Sequence, residues 1–175
     1  MEVKFKKLSD KAVLPTKAHK TDAGLDLTCT GIESEVNECG QFILVYHTGL
    51  AMEIPDGYVG LIYPRSSICK KSIMQTNSVS VIDSGYRGEV LVKYRNTSGD
   101  SIPALYNIGE KIAQLIIMPY PEIEPIFAED LSESDRGTDG YGSSDKKVSA
   151  ETGSQETETA PVQAAEHLDG SESDK

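Results

Sequence analysis

Short runs of β-branched and aromatic residues alternate with turn-forming residues along most of the chain. Segments rich in Pro, Asp, Asn, Ser and Gly separate these runs at 55–57, 83–85, 98–100 and 107–109. The one segment that predicts a helix, of one or two turns, is 66–72, directly after Pro64. The pattern therefore predicts an all-β domain, built as a sandwich, a jelly roll or a barrel. The predicted strands are 41–45, 51–54, 58–63, 78–82, 89–95, 111–118 and 122–127.

The last part of the chain, 145–175, differs from the rest in composition. It contains eight acidic and three basic residues, no aromatic residue, and only Val148, Val162 and Leu168 as large aliphatic residues. Such a segment buries too little apolar surface to offset the entropy lost on ordering. The composition predicts one folded domain, 1–144, followed by an acidic disordered tail, and it leaves any partner of the tail open.

The charge of the chain limits its binding partners. The formal net charge is −11, and removing the tail leaves about −6 on residues 1–144. An acidic domain does not attract nucleic acid through its phosphates, so a polyanionic ligand would have to be small and held locally. No apolar run approaches the length of a membrane span or a signal peptide, which predicts a soluble cytoplasmic protein.

The three cysteines, Cys29, Cys39 and Cys69, are too few and too widely spaced for a disulfide framework or a paired-cysteine metal site. They are predicted to be buried thiols in a reducing compartment, because free cysteine is usually a small core residue.

Five segments are richer in polar residues and glycine than a plain β-scaffold requires: 23–27, 64–67, 80–88, 109–115 and 136–144. Each alone has a structural explanation as a turn, a capped helix start or a linker. As an ordered set they closely resemble the five motifs of the trimeric dUTPase family, over residues 1–144. The most specific pieces are Val-Ile-Asp-x-x-Tyr-Arg-Gly, beginning at Val81, and Arg-Gly-x-x-Gly-aromatic-Gly-Ser, beginning at Arg136.

The resemblance implies a jelly-roll, barrel-like fold with one short helix. It also implies hydrolysis of dUTP to dUMP and pyrophosphate, which lowers dUTP and supplies dUMP for thymidylate synthesis. Members of the family are homotrimers whose active sites combine motifs from three chains. Mg²⁺ is expected as the cofactor, held by the three phosphates and by water with no direct protein ligand.

The resemblance also assigns roles to residues that bind the nucleoside. Asp83 is implied as the general base that orients and deprotonates the water attacking the α-phosphorus. The hairpin 77–86 is implied to read uracil, with Asn77 beside the base and Tyr86 against the deoxyribose. The family usually has glycine directly before Val-Ile-Asp, whereas this chain has Ser80.

The resemblance assigns the remaining residues to triphosphate binding, to its support and to a lid over the bound nucleotide. Asp26 is expected to act as an outer-shell or structural residue that supports a water or a neighbouring arginine. The segment 136–144 is expected to be a mobile lid that closes over the γ-phosphate, with Tyr141 stacked on the uracil. The implied phosphate-binding residues are Arg65, Ser66, Ser67, Gln114, Arg136, Gly142, Ser143 and Ser144.

Two other functions fit part of the sequence. A dCTP deaminase shares the fold and some motifs, but the intact Val-Ile-Asp-Ser-Gly-Tyr segment argues against it. A nucleotide-gated binding or regulatory protein of the same fold is favoured only by the acidic tail.

Overall fold

The computed structural model describes residues 1–97 and 105–140. The chain divides into two units, Met1–Glu124 and Pro125–Lys175. A 3₁₀ helix, Ser66–Lys70, lies in the first unit, as do all the strands of the described residues. In chain order these strands are β1 (Lys4–Lys7), β2 (Leu25–Thr28), β3 (Gly31–Val36), β4 (Phe42–His47), β5 (Leu50–Glu53), β6 (Tyr58–Pro64), β7 (Ile73–Gln75), β8 (Ser80–Ile82), β9 (Leu91–Asn96) and β10 (Lys111–Pro119).

The strands form antiparallel sheets whose neighbours are mostly distant in sequence. Two four-stranded sheets have the orders β2-β10-β6-β8 and β3-β4-β9-β7, and β1 pairs with β5. Strand β10 is central to the first sheet, with Gln114 opposite both Asp26 and Tyr63. These long-range antiparallel pairings give a jelly-roll-like fold and confirm the predicted all-β class.

The core of the first unit contains residues from both four-stranded sheets, among them Leu27, Ile62 and Leu115 from one and Val92 and Tyr94 from the other. Strand β9 shows the alternation expected of a half-buried strand, with Val92 and Tyr94 fully buried between partly exposed neighbours. The Tyr94 hydroxyl donates to the Ile112 carbonyl oxygen at 2.7 Å, and burial raises the pKa of this tyrosine. A buried hydroxyl is thus kept satisfied and uncharged.

Most of the predicted strands are present, and their end points differ from the predicted ones by at most two residues. The predicted strand 122–127 is wrong, because the backbone is irregular there and the last strand ends at Pro119. Pro121 and Pro125 explain the error: each lacks an N–H for the sheet and restricts the residue before it. The predicted turn at 98–100 lies outside the described residues. The strands β1, β2, β3 and β7 were not predicted, because they are short or, as in β3, mostly exposed and polar.

Two smaller predictions need correction. The helix is a five-residue 3₁₀ helix that ends at Lys70, two residues before the predicted end. Cys29 is buried as predicted, but Cys39 and Cys69 are exposed. Cys39 lies in the turn between β3 and β4, and Cys69 lies in the 3₁₀ helix, so neither faces the core. In the described part of the chain, no helix has the length and apolar character needed to cross a membrane.

His47 at the end of β4 lies between two carboxylates. Its Nδ1 is 3.1 Å from Glu89 Oε2, and its Nε2 is 3.5 Å from Glu33 Oε2. Burial of the ring is the largest single influence on the pKa of His47, and it lowers that pKa. The hydrogen bond and charge of Glu89, together with Glu33, outweigh it, so the pKa of His47 is raised above 6.5. A proton on this ring therefore favours the folded state.

His47→Gln should cost stability in a pH-dependent way. Because the pKa is raised on folding, the proton's contribution is fully present below the unfolded pKa, near 6.5, and is lost as the pH rises through the folded pKa. The difference in Tm between wild type and variant should be largest near about pH 5.5 and smallest near about pH 8.5. His19→Gln, at an exposed histidine, is the control. A difference that does not change with pH would contradict the assignment.

Candidate active site

A cavity of about 330 Å³ lies beside the segment that follows β8. This is within the lower part of the size range of small-molecule sites. Three residues singled out from the sequence line it: Asn77, Asp83 and Tyr86. Ser80 and Glu89 line it as well. The structure thus brings the predicted base-reading hairpin and the predicted general base to one place.

Asp83 is positioned by the strand that precedes it. Strand β8 pairs with β6, with Ile82 opposite Gly60, and Asp83 is the next residue after this pairing. The Asp83 carbonyl oxygen accepts a hydrogen bond from the Tyr86 N–H at 3.0 Å, which closes a tight turn. The Asp83 side chain is exposed at the cavity wall, where a water molecule can reach it.

Tyr86 is held over the backbone of Gly88. A Cβ atom at position 88 would overlap the phenol group of Tyr86, so only glycine lets the ring lie there. The Tyr86 hydroxyl donates to the Glu89 carbonyl oxygen at 3.0 Å, and the residue remains 43% exposed. The ring is therefore fixed at its hydroxyl end while an apolar surface stays available to a ligand.

The hairpin that carries Asn77 has an unusual backbone. The Val79 N–H donates to the Asn77 carbonyl oxygen, two residues back, and Ser78 between them has φ 55°. This is a γ-turn with a non-glycine residue in the left-handed region, a conformation that costs free energy and is often found at functional sites. The Asn77 side chain contacts Ser80 and Gln75, neither of which was predicted as a site residue.

A second group of predicted residues is centred on Asp26. Arg65 Nε donates to Asp26 Oδ1 at 2.7 Å, and Lys111 Nζ donates to Asp26 Oδ2 at 2.6 Å. The Asp26 side chain is only 11% exposed, so two cations hold a largely buried carboxylate. Arg65 uses Nε for this ion pair, which leaves other guanidinium N–H donors for an anion. Lys111 is a basic residue of this cluster that sequence reasoning missed.

Gln114 lies beside this cluster, on β10. Its Nε2 donates to the Pro64 carbonyl oxygen at 2.9 Å, and its Oε1 lies against Gly24. A Cβ atom at position 24 would overlap that oxygen, which explains why the first motif needs glycine there. Among the neighbouring serines, Ser67 hydrogen-bonds the Tyr106 hydroxyl at 3.2 Å, while Ser66 is exposed at the start of the 3₁₀ helix.

The cavity residues around Asp83 and the cluster around Asp26 do not meet within one chain. The register of β6 and β8 ends with Ile82 opposite Gly60, and continuing it by one residue sets Asp83 against Val59. Arg65 lies six positions further along the same strand direction, which corresponds to roughly 20 Å. The cavity lined by Asp83 is not lined by Arg65 or Gln114.

The last motif is described only in part. Arg136 lies in the second unit, where its Nε donates to the Asp139 carbonyl oxygen at 3.0 Å and the Gly137 N–H donates to the Ser134 carbonyl oxygen. Tyr141, Gly142, Ser143 and Ser144 lie outside the described residues, as does the predicted tail. The predictions for them remain predictions.

The donor set of the cavity bears on the expected metal. Within residues 1–97 and 105–140, no group of three or more His, Cys, Asp or Glu side chains is arranged to hold a metal ion. Glu89, the other carboxylate of the cavity, is engaged by the Gly49 N–H and by His47. The carboxylates of the cavity therefore fit a Mg²⁺ ion that is bound to a ligand's phosphates and keeps its own waters, because Mg²⁺ dehydrates reluctantly.

Comparison with known proteins gives consistent results. Residues 10–145 match the family model described as dUTPase. A deoxyuridine 5'-triphosphate nucleotidohydrolase of Clostridium acetobutylicum is 39% identical over 148 residues, covering 84% of this chain and 99% of that protein. A solved dUTPase variant of Staphylococcus bacteriophage 80alpha with dUpNHpp has a TM-score of 0.69 at 30% identity, covering 82% of this chain and 98% of that one. A dUTPase variant from phage phi11 of S. aureus, described with a structural Mg(II) ion, has a TM-score of 0.62 at 27% identity, covering 74% and 98%.

Proposed function

Because the chain belongs to the dUTPase family, we propose that it hydrolyses dUTP to dUMP and pyrophosphate, with Asp83 activating the attacking water. The observation that carries this proposal is the exposed Asp83 carboxylate at the wall of a nucleoside-sized cavity. A carboxylate accepts a proton from water and directs the oxygen toward the α-phosphorus. The new P–O bond forms as the bond to the β-phosphate oxygen breaks, and pyrophosphate leaves.

The hairpin 77–86 accounts for selection of the nucleoside. Asn77 would hydrogen-bond the edge of uracil and the Tyr86 ring would provide an apolar surface for the deoxyribose; the support is that both residues line the cavity. Support for the second role comes from the Tyr86 hydroxyl, which is committed to the Glu89 carbonyl oxygen and cannot turn toward a ribose hydroxyl without losing that bond. The ring would then exclude a 2′-hydroxyl by steric contact.

The cluster around Asp26 accounts for binding of the triphosphate. Arg65 supplies charge-assisted donors to phosphate oxygens, and Asp26 holds its guanidinium in one orientation through the 2.7 Å bond to Nε. Ser66, Ser67 and Gln114 lie close by in sequence or across the sheet and add neutral donors. Asp26 thus acts through Arg65 and does not contact the substrate itself.

Separation of the two groups favours a site shared between chains. One dUTP molecule must contact Asp83 and Arg65 together, but in a single chain they lie roughly 20 Å apart along the sheet. A homotrimer, as the family resemblance implies, would bring Asp83 of one chain to Arg65 of another. Arg136, Tyr141, Gly142, Ser143 and Ser144 would then close over the bound nucleotide from the terminal segment.

Mg²⁺ would be held by the triphosphate oxygens and water, as the family resemblance implies. When bound, the ion neutralises charge on the phosphates. The chain's own residues position the substrate and the water: Arg65 on the phosphates, Asp83 on the water and Asn77 on the base.

Pyrophosphate release from dUTP, dCTP, dTTP and UTP tests the proposal directly. We expect turnover of dUTP with Mg²⁺ and, for each of the other three, kcat/KM at least about 100-fold lower, because each leaves buried polar groups unpaired or overlaps the cavity wall. Ammonia release from dCTP would instead indicate a deaminase. Tight binding of dUTP without turnover would support the nucleotide-gated binding protein.

A further inference from the structure

Ser80, at a position where the family usually has glycine, makes side-chain hydrogen bonds that glycine could not make. Its side chain is buried, with 7% exposure, and its Oγ lies 3.1 Å from Asn77 Oδ1 and 3.0 Å from Gln75 Nε2. Gln75 Nε2 also lies 3.1 Å from the Ile62 carbonyl oxygen. A series of hydrogen bonds, here called the relay, therefore runs from the backbone of β6 through Gln75 and Ser80 to Asn77 at the cavity.

The donor and acceptor roles along the relay are set by the Ile62 carbonyl oxygen, where it begins. The Ile62 carbonyl oxygen can only accept, so the Gln75 atom facing it must be the amide nitrogen. The second N–H of that amide is directed at Ser80 Oγ and, more weakly, at Asn77 Oδ1, 3.4 Å away. Ser80 Oγ then accepts from Gln75, and its single hydroxyl proton is donated to Asn77 Oδ1.

The opposite orientation of the Asn77 amide is disfavoured at two points. It would bring Asn77 Nδ2 to 3.4 Å from Gln75 Nε2, so that two donors would face each other. It would also leave the Ser80 hydroxyl proton without its acceptor in a buried position, which is unfavourable. The relay is retained even though it leaves Gln75 Oε1 buried without a partner among the described residues.

We infer that Ser80 and Gln75 are positioning residues for base selectivity, which lock the Asn77 amide so that its Nδ2–H donors face the cavity. This inference rests on the proposed function and adds two residues of this chain to it. A donor at this position pairs with the C4 carbonyl oxygen of uracil and opposes the C4 amino group of cytosine. With glycine at position 80, this contact on the Asn77 amide would be absent.

The test removes the relay without touching Asn77. Ser80→Ala deletes the hydroxyl, and Gln75→Met deletes the donor that orients it at similar side-chain volume. In both variants KM for dUTP should rise while kcat stays within about twofold of wild type, because the lost contact lies on the base and not at the reacting phosphorus. The ratio of Ki for dCTP to KM for dUTP should fall by at least about fivefold.

Two further variants separate selectivity from stability. Ser80→Thr keeps a hydroxyl and should keep the wild-type ratio. Thr48→Val removes a different buried hydroxyl, which donates to the Val90 carbonyl oxygen at 2.8 Å, and should lower Tm without changing the ratio. The double variant Ser80→Ala with Gln75→Met should have the ratio of either single variant, because both interrupt one relay.

The outcomes distinguish this inference from the proposed function. Wild-type protein that does not turn over dUTP would defeat the proposed function. The relay would then be judged on calorimetric binding of dUMP against dCMP, where Ser80→Ala should lose the preference for dUMP. Unchanged selectivity in Ser80→Ala and Gln75→Met, in folded protein, would overturn the inference.

Discussion

Asp83→Asn is expected to lower kcat for dUTP by at least about 100-fold while leaving the fold and dUTP binding intact. Asparagine has nearly the same size but cannot take a proton from water. The Asp83 side chain is exposed, so the replacement removes little that holds the loop in place. Single-turnover kinetics with Mg²⁺ would measure the loss in the chemical step.

Binding and stability serve as the internal checks on this variant. Kd for a non-hydrolysable dUTP analogue and Tm should both stay close to the wild-type values. Asp56→Asn, at another exposed turn aspartate, is the matched control and should retain full turnover. Near-normal kcat in Asp83→Asn would remove Asp83 from the mechanism and would require another group to activate the water.

The fold was largely predictable because alternation and turn chemistry are local properties of the chain. Strands such as β4, β6 and β10 combine long apolar runs with clear turns, and these were found. The error at 122–127 came from giving weight to β-branched residues near prolines, whose missing N–H groups decide the outcome. The pairing order of the strands was not predictable from the pattern, since it depends on contacts between residues far apart in sequence.

The candidate site was predictable as a set of residues but not as a geometry. Asp83 and Arg65 stand out through motif resemblance, yet only the strand register shows that one chain holds them far apart. Lys111 gave no signal, because a lysine at the start of a strand is common and its partner Asp26 is 85 positions away. The relay through Ser80 was hidden for a similar reason: Gln75 looks like any polar strand residue until its amide is placed against a backbone carbonyl.

Mixing two inactive variants is expected to restore activity, and this is the largest effect that the shared-site proposal predicts. Arg65→Ala removes the phosphate-binding guanidinium and leaves Asp26 paired with Lys111, so the cluster keeps one of its two cations. Asp83→Asn removes the base. Each variant alone should have kcat/KM reduced by at least about 100-fold, since each lacks a group required at every site.

In a random one-to-one mixture, about one quarter of the sites of a cyclic homotrimer should receive both Asp83 from one chain and Arg65 from its neighbour. Activity in the mixture should therefore rise to roughly 25% of wild type, far above either variant alone. Co-expression with two different affinity tags, followed by sequential purification, would isolate the mixed trimers. Each of these holds one complete site in three, so their activity should be about one third of wild type. The same procedure applied to each variant with a tagged copy of itself is the control.

Recovery of activity also shows that both variants fold, because an unfolded chain cannot donate a residue to its neighbour. Mixed oligomers that stay as inactive as their parents would mean that Asp83 and Arg65 must come from the same chain, and the shared site would have to be abandoned.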